Sequence, residues 1–131
     1  MEFHIENKNS TVYVDEHGIF TIKYKVDCKL EVEDFKTIVD IFAEWSQGEA
    51  WKVLHIFPKG ASASGEARNY GAKRKKRCSA EAFVIEGTIQ RNLFRLYRKF
   101  RTADYPMREF SSVDEARIWI NPIPLEVIEE A

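Results

Sequence analysis

Two serines close the loop Pro58-Lys-Gly-Ala-Ser-Ala-Ser64, between an apolar run that ends at Phe57 and a helix that opens near Ser64. A phosphate on Ser62 or Ser64 would bring about −1.5 to −2 charges to a helix start. The N–H groups there favour anions, and Lys59 and Arg68 lie close in sequence. The plainer reading is that Ser64 caps the helix. Together with Glu66, Arg68 and Tyr70, the two serines form the first candidate surface, a switch or partner loop. The second is basic: Lys73, Arg74, Lys75, Lys76 and Arg77, extended by Arg91, Arg95 and Arg98 (with Lys99) if the two helices are neighbours. Such a patch could grip nucleic-acid phosphates or anionic lipid headgroups, with Tyr70 and Tyr97 as stacking faces. Its plainer reading is a solvated helix end, or a dock for the acidic first helix of a second copy.

Catalysis has the least support. His4, His17 and His55 are scattered, and His55 lies inside an apolar strand, as a hydrogen-bonded core residue would. A Ser64–His55 pair across the loop would lack a third group to orient the imidazole. There is no nucleophile elbow, metal-ligand spacing or phosphate-cradling glycine motif, so neither a catalytic residue nor a metal or cofactor is assigned. Cys28 and Cys78 form no metal pattern and read as buried reduced thiols in a cytosol.

The elements that must position these residues follow from patterning. Thr11–Val14 and Ile19–Val26 read as an antiparallel hairpin across Asp15-Glu-His-Gly18; Phe20, Ile22, Tyr24 and Val26 share one parity. Glu31, Glu33 and Asp34 suit a helix start. Phe35, Ile38, Val39, Phe42 and Trp45 then follow the rhythm of one buried helix face, and Gly48 ends it. Trp51–Phe57 reads as a strand buried on both faces. A helix over 66–77, a strand Ala80–Ile85, a helix from Thr88 to about Phe100 and a strand Tyr105–Phe110 follow. Ser112 and Glu115 have capping-box spacing for a last helix, which Asn121-Pro122 ends. The aromatics Phe35, Phe42, Trp45, Phe94, Tyr97 and Phe100 read as core packing rather than an apolar-ligand pocket, because the chain is short.

The 131 residues fit one domain, 1–131, with 122–131 as a C-terminal tail. No apolar run approaches the roughly 20 residues of a membrane span, and Met1–Glu6 does not read as a signal peptide. The net charge of −1 hides a split: residues 65–108 carry 12 Lys/Arg against 4 Asp/Glu, and the rest 8 against 17. The order β-β-α-β-α-β-α-β-α predicts an α/β domain with a mixed sheet of about five strands and about four helices.

Three stretches carry a resemblance: Ser64-Gly-Glu-Ala-Arg-Asn-Tyr70, Arg91-Asn-Leu-Phe-Arg-Leu-Tyr97, and Glu109-Phe-Ser-Ser-Val-Asp-Glu-Ala-Arg-Ile-Trp-Ile120. Over about residues 10–120 the chain resembles the SpoIIAA-like fold of STAS domains and SEC14 proteins, and most of all the small bacterial STAS/SEC14 domain-containing proteins of uncharacterised function. With no catalytic motif beside it, the resemblance points to a non-catalytic interaction or regulatory module with an unknown protein partner; the cysteines place it in the cytoplasm, and the opposite charge blocks and apolar tail allow a second copy in a homodimer. The alternative is nucleic-acid or anionic-lipid binding through the basic segment 73–101. Anti-sigma-factor antagonists carry Asp-Ser-Ser-Gly after the central strand, with the first serine phosphorylated. Aligned on Gly65, that position is Ala63 here, flanked by Ser62 and Ser64.

Overall fold

A computed structural model describes residues 3–73, 78–87, 90–92, 94, 95 and 105–125. Its main sheet has six strands in the order β1(His4–Glu6), β2(Ser10–Val14), β3(Phe20–Tyr24), β5(Trp51–Phe57), β7(Cys78–Ile85), β8(Met107–Phe110). The first three pair antiparallel, and β3-β5-β7-β8 run parallel. β4(Lys29–Leu30) and β6(Ser62–Ala63) form a separate parallel pair. The helices are α1(Val32–Ser46), α2(Gly65–Lys73) and α3(Val113–Ile120), with further helical residues at 90–92, 94 and 95. Among the described residues no helix is long and apolar enough to cross a membrane.

The predicted mixed α/β order is the observed one. The structure adds edge strand β1 to the five predicted. It also turns the end of the predicted 58–64 loop into β6, because Ser62 and Ser64 donate their N–H groups to the carbonyls of Cys28 and Leu30 at 2.9 Å. Val26 departs from the predicted parity: β3 stops at Tyr24, and Val26 is 65% exposed. The helix predicted to reach 77 is described to Lys73; residues 74–77, 88, 89, 93 and 96–104, and the tail beyond 125, lie outside the described residues.

Alternation along the strands divides the sheet into two faces. On one, α1 lays Ile38 and Phe42 against Phe20, Ile22, Tyr24 and Val53. Phe20 meets Phe42 edge-on at 5.0 Å, and each such buried ring is worth about 1.5–3 kcal/mol. α1 starts where Asp34 accepts the Glu31 N–H at 2.8 Å, and ends where Gln47 and Gly48 turn left-handed. On the other face α3 sets Ala116 and Ile120 on Ile19, Leu54, Ala80, Ala82 and Val84. Ser112 caps α3 by accepting the Glu115 N–H at 3.2 Å, as its spacing predicts. Lys52 crosses to this side and donates to the carbonyl of Asn121 at 2.7 Å; burial pushes its ammonium pKa down, partly offset by Asp15.

Candidate functional site

The parallel register sets Val53 beside Glu81, and Ile22 beside both His55 and, through it, Phe83. Residues two apart share a face, so Tyr24, His55 and Glu81 arrive together on the α1 side of the sheet. Tyr24 Oη lies 2.9 Å from His55 Nδ1, and His55 Nε2 lies 2.6 Å from Glu81 Oε2. Tyr105 donates its hydroxyl to Glu81 Oε1 at 2.8 Å. It is brought there by the bond from the Glu81 N–H to the carbonyl of Pro106. A carboxylate only accepts, so this network assigns the proton to Nε2; in a neutral ring, Nδ1 then accepts the Tyr24 O–H. The histidine and glutamate side chains are 7% and 0% exposed. Aromatic faces hold the chain flat: His55 stacks on Phe83 at 4.6 Å and Tyr24 on Phe57 at 4.3 Å.

This network lies in the wall of a cavity of about 120 Å³ between the sheet, α1 and α2. Phe35, Ile38 and Val39 close it from α1, and Phe57, Phe83 and Phe94 are among its other apolar walls. Its polar margin is Ser62, Arg68, Tyr70 and Gln90. Against the expectation of packed core alone, the predicted aromatics therefore divide. Phe35 and Phe94 line space, and Phe42 and Trp45 are packed in the core. Tyr97 and Phe100 lie outside the described residues.

The predicted loop residues also divide. Ser62, Arg68 and Tyr70 meet at the cavity. Ser64 is the helix cap, accepting the Ala67 N–H at 3.1 Å, and Glu66 is exposed. Arg68 donates through Nη1 to the carbonyl of Ala63 at 2.7 Å, and no carboxylate of the described residues pairs with it. A Ser64–His55 pair is not formed, since both ring nitrogens of His55 face Tyr24 and Glu81. Of the basic candidates, Lys73 is exposed. Arg91 donates to the carbonyl of Ile85 at 3.2 Å, and Arg95 pairs with Glu109 at 3.0 Å. Arg74, Lys75, Lys76, Arg77 and Arg98 lie outside the described residues. Sequence reasoning missed Tyr24, Glu81 and Tyr105. The available signal was a single acid in one apolar strand and a single histidine in another, both needing a buried partner.

Cys28 and Cys78 are buried outside any disulfide, and burial raises the Cys28 thiol pKa. Among the described residues no group of three or more His, Cys, Asp or Glu could hold a metal ion.

The architecture is a mixed α/β sheet with helices packed on both faces and a polar network under one of them. Residues 13–124 match the family described as a domain of unknown function, DUF7793, and the chain belongs to that family. Its structure is similar to the crystal structure of an uncharacterised protein of the DUF3478 family with a SpoIIAA-like fold from Shewanella loihica PV-4. The two are 16% identical over 92% of each chain, with a TM-score of 0.57, a likeness that shows the fold. The SpoIIAA-like resemblance of the sequence is thereby shown. No curated protein matches the sequence.

Proposed function

We propose that the chain is a non-catalytic, STAS-like regulatory module that binds a protein partner through the segment Pro58–Tyr70. The observation that carries this reading is the way the segment is held. β6 pairs with β4 and Ser64 caps α2, so Ser62, Glu66 and Asn69 are presented to solvent on a fixed backbone. A pre-set backbone lowers the ordering cost of association. Self-association belongs to the same reading: Ile118 and Leu125 are 76% and 41% exposed, and covering them removes apolar surface from water. The proposed setting is the bacterial cytosol, consistent with two buried thiols outside any disulfide.

The test is affinity capture with the intact chain, a Glu66→Lys/Asn69→Lys variant and a Lys73→Gln variant, each checked for folding by circular dichroism. The expected partner is lost with the first variant and kept with the second. Retention by both removes the segment from the argument. Sedimentation of the same samples tests self-association; a monomer at about 100 μM, well above ordinary affinities, excludes it. Oligonucleotide and anionic-vesicle titrations at about 50 and 200 mM salt run beside these. Binding that collapses between the two would put the basic segment first.

A further inference from the structure

The cavity between α1, α2 and the sheet has a chemistry that partner binding does not use. It is about 120 Å³, close to the about 150 Å³ of an apolar cavity that holds benzene. Its walls are rings and branched aliphatic chains, notably Phe35, Phe57, Phe83, Ile38 and Val39. Two charged groups of opposite sign line it, and they differ in how they are engaged. Both Glu81 oxygens already accept hydrogen bonds, from His55 and Tyr105. Arg68 commits one Nη1–H to the Ala63 carbonyl, and a guanidinium has five N–H donors in all. Arg68 stands half-buried at the margin, where an anion would keep contact with water while its apolar part is covered.

We propose that this cavity is a binding site for a small monoanion with a compact apolar body, the one-ring aromatic carboxylates being the class that fits. The ring occupies the space walled by α1 and the aromatic strand residues. The carboxylate lies at the margin and accepts from the Arg68 guanidinium, the geometry that such a group recognises best. At about 120 Å³ the cavity matches a single ring and lies below the about 300 Å³ or more of drug-sized pockets. The site goes beyond the partner-binding reading and stands or falls without it.

The probe is sodium benzoate, titrated into the full chain and followed by two-dimensional amide NMR, with benzamide and benzylamine as matched neutral and cationic rings. Saturable shifts around Val39, Ala63 and Phe83 are expected, with a Kd of about a millimolar or tighter for a ligand of this size. Arg68→Gln, whose retained spectrum reports an intact fold, should weaken benzoate about tenfold or more and leave benzamide within about twofold. Absence of saturation by benzoate at about 20 mM, far above that Kd, overturns the site. Equal binding of benzoate and benzamide, or benzoate binding untouched by Arg68→Gln, overturns the role of the anion. Tighter binding of benzylamine would assign the charge recognition to Glu81 instead.

Discussion

Glu81 is wholly buried on the interior strand β7 and is tolerable there because two donors reach it. Its cost of leaving water is offset by the hydrogen bonds from His55 and Tyr105, and the 2.6 Å contact is short even for a charge-assisted bond. Removing the acceptor strands both donors. Glu81→Ala is expected to destabilise the fold by about 3–5 kcal/mol, the range for breaking a buried pair. Glu81→Gln should cost less, because the amide oxygen still accepts one of the two bonds. Replacing both members, His55→Phe with Glu81→Leu, should recover part of the loss, since the buried imidazole and carboxylate leave together, although the Tyr24 and Tyr105 hydroxyls lose these partners. Urea unfolding of the four proteins orders them. A Glu81→Ala cost under about 1 kcal/mol would mean that the network contributes little, as an exposed pair would.

At the scale of elements, the decisive piece is the four-residue contact between β4 and β6. It pins the start of α2 and one rim of the cavity. The turn before it depends on Gly60, whose φ is +79° and whose missing Cβ would meet the Asp27 side chain. Gly60→Ala is therefore expected to cost about 1–2 kcal/mol, the left-handed penalty for an L residue. Hydrogen exchange should speed up first at the Ser62 and Ser64 amides, which bond to Cys28 and Leu30. Uniform loss of protection across the sheet would instead mean that the turn has no local role. This contact also marks where the sequence stops being legible. The buried faces of α1 and β5 could be read because a helix or long strand repeats its period several times, from Phe35 to Phe42 or from Trp51 to Phe57. Two-residue strands have no period to read, and β6 is made of Ser62 and Ala63, which look like loop. The network was hidden for another reason: Tyr24, His55, Glu81 and Tyr105 are far apart in sequence, and only the strand order brings them together. Arg68 and Tyr70 were legible as a functional segment, but the space they border was not, since volume is a property of packing.

Across the whole molecule, the two faces of the sheet are packed to different ends. On the α3 side, Ala80, Ala82 and Ala116 are fully buried, and their small size lets the helix lie close against the strands. On the α1 side, large rings surround the cavity. Adding volume should therefore have opposite consequences on the two sides. Ala82→Ile forces extra atoms into a close-packed layer and should destabilise by about 1–3 kcal/mol. Val39→Ile adds one methylene to a wall of the cavity and keeps a β-branched side chain in the helix. It should be neutral or stabilising by up to about 0.8 kcal/mol, the value of a buried methylene. Matched urea curves for the two variants measure the contrast directly. Equal destabilisation would mean that the α1 side is as tightly packed as the α3 side, and a ligand would then have no room there. A neutral Val39→Ile that also weakens benzoate would show that the methylene and the ring compete for one space, joining the fold's packing asymmetry to its binding chemistry.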